Sequence, residues 1–542
     1  MLRWYQFSPL HKDVPLIPAS SAAPHPHPWK APAITALVLV LLAMAIQGQD
    51  GNWDLRNYHL YTPSALLDGR FSQDIAAAQL QTWHNPMLDV PFAWMVRTGF
   101  PGWLVSLWLG LHAFIAVLFA LRLLDQLWPQ QRSTLRTAMA GLVAVGGAAV
   151  MPSIGTTFND AFVAAGMMAG MWWAVDSHGR RGAWATWVPV GLFAGLAAGL
   201  KLTGAMYCIG FIGAAWVAGP LRGAPARLLA LAVGGIAGGL LTAGPWALHL
   251  WQTHGNPLFP YFNEWFASPD ALPHGHKDTR FVPQGLDALL VPFHLLVEGT
   301  RFSESKLADP RLLLGFSALA AWWVTAWRAR ARHARDMGMV HALLVFVLLS
   351  FVVWVKLYGI YRYLFALELV CSIAIIGMLS QWRPRRFPRT VLVLSALLLV
   401  GVANRPGWGR ESFSTPMVDV RLPSLPRDSL VVLAQDHPLG YAVAYLPSGV
   451  PAISIHNNFM TPERCTRLQA RAEQRVRQHA GPLFLLREVP KSAPPAEHYQ
   501  AYGLALGGAC QAVPTNLSRL EICPLVRRSA TPTICSAPAP DR

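Results

Sequence analysis

Charge is what this sequence has least of. Asp, Glu, Lys and Arg together make up 13% of its 542 residues, against about 25% in an average soluble domain. A wholly soluble chain is excluded on that ground. Cysteine is sparse as well, six in all, and no two have the close spacing of a zinc module. Charges in the middle of apolar runs are few, and no internal repeat is evident. Both absences argue against a transporter built from inverted halves. No basic tip followed at once by an apolar stretch and a small-residue cleavage site opens the chain. The first apolar run is therefore expected to be retained.

What is present is apolar and aromatic: 53% hydrophobic residues and 22 Trp. A spanning helix needs about 20 mostly apolar residues. Suitable runs lie near 32–48, 102–124, 137–153, 160–175, 183–200, 203–219, 227–249, 311–327, 338–356, 361–380 and 390–404. The composition thus predicts a polytopic α-helical membrane protein of about eleven spans. The net charge of +16 does not point to nucleic acid, because the arginines sit in short segments between apolar runs. With residues 1–31 as a cytoplasmic tail, those segments all fall on one side: Arg122, Arg132 and Arg136; Arg180 and Arg181; Arg222 and Arg227; Arg328 to Arg335; Arg383 to Arg389. This is the positive-inside pattern. It puts the N-terminus in, the C-terminus out, and residues 32–404 in the membrane domain.

The opposite face gathers the chemistry. It holds loops 49–101 and 250–310 and the region 405–542. The latter reads as a soluble α/β domain with strands at 430–434, 451–455 and 482–487 and a helix from Pro462 to His479. Strands alternating with a helix suggest a parallel sheet. Cys465, Cys510, Cys523 and Cys535 lie here, and on an oxidising face two disulfides are expected, with three pairings open.

Five polar clusters stand out. The first, GNWDLRNYHLYTP (51–63), follows the first span and offers Asp54, Tyr58 and His59; the loop continues through His84. Its segments 54–68 and 86–97 have amphipathic helical character and are expected to lie in the interface. The plain reading is an N-cap at Asp54 with aromatic anchors around it. The second is GTTFNDAFVAAGMM, where Asp160 opens the fourth span. A carboxylate at that depth costs a few kcal/mol unless it meets water or a partner; again an N-cap is the bland alternative. In the third, GLFAGLAAGLKLTG, Lys201 either snorkels or binds a phosphate. In the fourth, VKLYGIYRYLFAL, Lys356, Tyr358, Tyr361, Arg362 and Tyr363 crowd one turn. The fifth is HGNPLFPYFNEWF with the following PHGHKD, whose His274, His276 and Asp278 suit a solvated loop better than a metal site. The first four fall at one membrane face, as an enzyme with a bilayer substrate and a polar co-substrate would require.

In their order, these motifs resemble the GT-C superfamily of membrane glycosyltransferases, which use polyprenyl-phosphate sugars as donors. NWDLRNYH, FNDAFVAAGMM, GLFAGLAAGLKLTG, GNPLFPYFN and YRYLFAL carry the resemblance, over most of residues 32–404. The resemblance implies that Asp54 is the catalytic base and that Asp160 assists with the acceptor or a metal. Lys201 and Arg362 would hold the donor phosphate, with Tyr358, Tyr361, Tyr58, His59 and His84 as further substrate contacts. It also implies inversion at the anomeric carbon, a glycan, lipid or protein acceptor in the periplasm, and a place in the bacterial inner membrane. No cofactor is implied with certainty, and a divalent metal stays open. One departure stands: Asp54 is followed by Leu55 and Arg56, where many members carry a second acidic residue. A flippase of a lipid-linked glycan and a non-catalytic assembly factor are the competing readings.

Overall fold

The computed structural model describes residues 28–129, 132–274, 278–329, 337–381, 388–463, 465–489, 497–528 and 535. Residues 1–27, Arg330, Arg332, Arg335, Arg383, Arg385, Arg386 and His276 lie outside them.

Helices occupy all eleven apolar runs: Lys30–Gln47, Gly102–Leu127, Thr134–Val145, Asp160–Ser177, Ala183–Leu200, Ala205–Val217, Ala224–His254, Arg311–Ala329, Met337–Leu357, Phe365–Gln381 and Pro388–Gly401. Among the described residues, six stretches are long and apolar enough to cross a bilayer: Lys30–Gln47, Gly102–Leu127, Ala183–Leu200, Leu221–His254, Met337–Leu357 and Tyr361–Gln381. Their outward faces are apolar too. Ile236, Leu240 and Leu241 are 62%, 66% and 70% exposed. Side chains of this size are stable outside only in lipid, at roughly 25 cal/mol per Å² of apolar surface kept from water. This is a multi-pass membrane protein.

The run expected as one span near 137–153 is broken. Its helix stops at Val145 and a short turn, Val150–Ser153, follows. The cause is a buried carboxylate pair. Glu368 accepts from the backbone N–H of Ala149 at 2.9 Å and Asp309 from that of Ala148 at 2.9 Å. Arg311 bonds the carbonyls of Val143 and Gly146 while pairing with Asp309. Backbone groups freed by the break are thus satisfied inside the protein, which is the condition for irregular backbone at membrane depth.

Ala183–Leu200 and Ala224–His254 pack backbone to backbone. A Cβ on Gly195 would lie 2.1 Å from the Gly235 carbonyl oxygen, and one on Gly234 2.0 Å from that of Val188. Small residues four apart allow this approach where lipid supplies no hydrophobic drive. The pair fixes the end of the fifth helix, and with it Lys201.

The described residues also form eight strands: β1 (Gln49–Asp50), β2 (Arg410–Glu411), β3 (Leu430–Ala434), β4 (Ala452–His456), β5 (Leu483–Glu488), β6 (Leu504–Leu506), β7 (Gln511–Val513) and β8 (Leu520–Arg527). The sheet order is β4-β3-β5-β8-β6, with β7 also on β8. β4, β3 and β5 are parallel, as their spacing suggests, and β8 then runs antiparallel to β5, β6 and β7. Alternation splits the strands between two cores. Val431, Leu433 and Leu486 face the first outer loop, with Leu55, Leu60 and Tyr61. Leu430, Val432 and Leu485 face the helix Arg467–Gln478, with Leu468, Ala472 and Val476. Disulfides join Cys465 to Cys535 and Cys510 to Cys523.

The outer loop and this sheet region are interlocked. β1 pairs antiparallel with β2, directly after the first helix. Arg70 and Asp74 form a buried pair that also bonds Val450 and Ala452 backbone. Gly440 lies against the loop so closely that a Cβ there would be 1.9 Å from the Asn57 carbonyl oxygen. Asp270, from the second outer loop, takes both Nε and Nη2 of Arg467, at 2.7 and 2.9 Å.

Candidate functional site

Helix ends build the site. The chain leaves the first helix at Gln47, is held by β1, and turns into a widened helical turn, Leu55–His59. Asn52, not Asp54, caps that turn, its Oδ1 accepting from the Leu55 N–H at 2.7 Å. The Asp54 carboxylate makes no capping bond. At the start of Asp160–Ser177, Asn159 takes a left-handed conformation with φ 63°, which Asn tolerates better than most residues. Asp160 then points away from its own helix end. Lys201 follows immediately on Ala183–Leu200, and Arg362 sits in the turn Tyr361–Leu364 ahead of Phe365–Gln381.

These four charges meet. Arg362 Nη1 lies 2.9 Å from Asp54 Oδ2 and 3.7 Å from Asp160 Oδ2. Lys201 Nζ donates to the other Asp160 oxygen and to the Phe158 carbonyl. Aromatic rings enclose the cations. The Arg362 guanidinium is 4.1 Å from the Phe158 ring centroid and 5.3 Å from that of Tyr363; Lys201 Nζ is 5.2 Å from Tyr363. Contacts of this kind stabilise a cation by about 0.5–2 kcal/mol. The side chains of Asp54 and Arg362 are 14% and 10% exposed. Burial pushes the Asp54 carboxyl up, but Arg362, His59 and Lys201 outweigh it and hold the group below the usual range. It is a carboxylate at neutral pH.

A second chain of bonds runs beside the first. His59 Nδ1 lies 2.6 Å from Asp89 Oδ2, and Asp89 Oδ1 accepts from Asn159 Nδ2 at 2.9 Å. A carboxylate on Nδ1 fixes a proton at that nitrogen. His59 Nε2 is buried and has no hydrogen-bond partner among the described residues. Tyr58 lies against His59 with ring centroids 3.9 Å apart and planes tilted by 35°, and meets His84 edge-on at 5.0 Å. Burial pushes His84 down to about 4, so it is neutral, and its Nε2 bonds the Tyr261 hydroxyl at 2.9 Å.

Of the residues expected at the site, Asp54, Asp160, Lys201 and Arg362 form its centre, and Tyr58, His59 and His84 flank it. Tyr358 lies behind Tyr363, with ring centroids 5.5 Å apart. Tyr361 does not join them. It is fully buried and faces Asp309 and Glu368, on the other side of its turn from Arg362. Asp89, Asn159 and Phe158 escaped sequence reasoning. Asp89, in PMLDVPF, reads as an ordinary cap before a proline; the polar FND triplet at 158–160 was the available signal for the other two. In the fifth cluster, Asp278 pairs with exposed Arg280 and His274 is exposed, which is a solvated loop. As a metal centre the four charges fit poorly. Both carboxylates are already matched by cations, leaving a divalent ion no free anionic ligand pair.

No family model matches the chain, and no curated protein matches it. Two solved structures are similar. One is the crystal structure of ArnT from Cupriavidus metallidurans bound to undecaprenyl phosphate, at 12% identity and a TM-score of 0.40, covering 92% of this chain and 98% of that one. The other is the same protein in the apo state, at 13% identity and a TM-score of 0.42, covering 91% of this chain and 97% of that one.

Proposed function

We propose that the chain is a membrane glycosyltransferase of the GT-C kind. It moves a sugar from a polyprenyl-phosphate carrier to a hydroxyl of a periplasmic glycan, lipid or protein. Eleven spans, with the N-terminus cytoplasmic, put the charged cluster at the outer face of the bacterial inner membrane. Two disulfides in the region after residue 405 suit that oxidising side.

The observation that carries this reading is the convergence of Asp54, Asp160, Lys201 and Arg362, from four remote parts of the chain, in one enclosed cluster. Arg362 and Lys201 hold the donor phosphate. The acceptor oxygen attacks the anomeric carbon as its proton passes to Asp54. The bond from that carbon to the phosphate oxygen breaks, and the lipid phosphate leaves with the electron pair. The two cations then offset the charge growing on it. Attack opposite to the leaving group inverts the anomeric centre. In the free protein Arg362 is committed to Asp54. A bound phosphate competes for that guanidinium, so donor binding itself raises the basicity of the carboxylate that must accept a proton.

The test uses purified protein, a labelled polyprenyl-phosphate sugar and a panel of acceptors. Transfer should occur with wild type and fall by a factor of about 10²–10⁴ in Asp54→Asn, the worth of a positioned base. Undiminished transfer by that variant refutes the assigned base.

A further inference from the structure

The carboxyl ends of β3 and β5 carry a second polar site that the charge cluster does not use. In sheets of this winding the crevice outside the carboxyl ends, where neighbouring connections diverge, is the usual ligand position. Here β4 lies on one side of β3 and β5 on the other, so the divergence falls between β3 and β5. Their register pairs Leu430 with Leu483 and Val432 with Leu485. Gln435 directly follows the last residue of β3, and Glu488 is the last residue of β5. Alternation puts Glu488 on the face of Leu486, toward the first outer loop.

Gln435 is 6% exposed, yet neither its amide oxygen nor its amide nitrogen has a hydrogen-bond partner among the described residues. A buried amide left unpaired costs about 1–3 kcal/mol. Glu488 is held only at long range, 3.6 Å from Arg56 Nη1 and 3.7 Å from His437 Nδ1. Its Oε2 and the Arg56 Nε are likewise buried and without a hydrogen bond. Arg56 stands two residues beyond Asp54 in the same turn.

We propose that this crevice binds the acceptor and that its ligand is a carbohydrate. An amide that both donates and accepts, a carboxylate, a guanidinium and an imidazole match a polyol, whose hydroxyls do both. An anion would be repelled by Glu488, and an apolar ligand would leave the Gln435 amide unpaired. The inference rests on the transferase reading for its purpose, but the site can be tested without transfer.

The experiment is saturation-transfer difference NMR on the full chain in lipid nanodiscs, which avoids glycosidic detergents. The probes are methyl glycosides of glucose, mannose, galactose and 2-amino-glucose, with glycerol phosphate as the anionic control. A saturable signal is expected from at least one glycoside. Gln435→Met and Glu488→Gln should each weaken it roughly tenfold or more, the worth of one bond to a buried polar group. Gln435→Met should also hold or raise the thermal midpoint, because it removes an unpaired amide. Three outcomes overturn the site: no glycoside signal, a signal from glycerol phosphate alone, or full binding by both variants. Glycoside binding in a protein that transfers no sugar would instead overturn the transferase reading and leave the crevice standing.

Discussion

Replacing Asp270 by Asn should loosen the outer loop from the sheet region in a manner set by pH. Asp270 is fully buried and accepts from Arg467 twice and from His254 Nδ1 at 2.8 Å. Burial pushes its carboxyl up, but the bonds from Arg467 and then His254 outweigh that and bring it from 3.8 to about 2. At about 1.4 kcal/mol per unit, the charge contributes about 2.5 kcal/mol to the folded state. The sign follows from the folded value lying below the unfolded one. The contribution is complete above the ordinary carboxylate range and is lost as pH falls from about 5 toward 2. Asn keeps the shape and removes the charge. At neutral pH the thermal midpoint of the variant should therefore be lower by roughly 5–10 °C, on the usual shift per kcal/mol for a domain of this size. The gap should close as both proteins are acidified. Thermal unfolding at a series of fixed pH values reads it directly. A gap that is the same at pH 7 and pH 3 would mean that shape, not charge, carries the lock, and the argument from Arg467 and His254 would fail.

Three further outcomes follow from the site. Arg362→Gln removes the main opposition to the burial of Asp54, so its carboxyl moves up; the acid limb of the transfer rate should shift to higher pH than in wild type, and an unmoved limb would break the assigned coupling. His59→Asn and Asp89→Asn each interrupt the second chain of bonds. Each should slow transfer by about 10-fold or more with little change in donor affinity, and the double variant should cost no more than the worse single one. Gly440→Ala drives a methyl group into the Asn57 carbonyl at 1.9 Å; it should lower the thermal midpoint and transfer together, by about 1–3 kcal/mol in stability, whereas Gly407→Ala, with open space around it and no left-handed backbone, should affect transfer little.

The membrane helices were legible because lipid imposes a single demand, about 20 apolar residues in a row. Asp54, Asp160, Lys201 and Arg362 were legible for the complementary reason: a charge at a membrane edge is costly enough to need a partner. Their pairing was not, since nothing local to NWDLRNYH says that Arg362 lies opposite. Asp89 was hidden by its proline neighbour, which makes any Asp look like a cap. Tyr361 and Arg362 read as one cluster, and only the turn geometry sends them to opposite sides. The break after Val145 was invisible because its cause, Glu368, sits more than two hundred residues away. In the soluble region, continuous apolar runs at 430–434 and 482–487 announced buried strands, and a helix between strands announced their parallel course. β6 and β7 were missed because strands of three residues give little periodicity, and β8 because Pro524 inside it argues against a strand.

The pairing of Gln49 and Asp50 with Glu411 and Arg410 has a consequence for biosynthesis. The ribosome makes β1 at the start of the loop that bears Asp54, yet the strand that braces it arrives 360 residues later, at Arg410. Gly440, Val450 and Ala452, which also hold that loop, come later still. Contacts so distant along the chain form late. An unfinished polypeptide therefore inserts its helices with the reactive loop unbraced, and competence arrives only once Ala452 has been made.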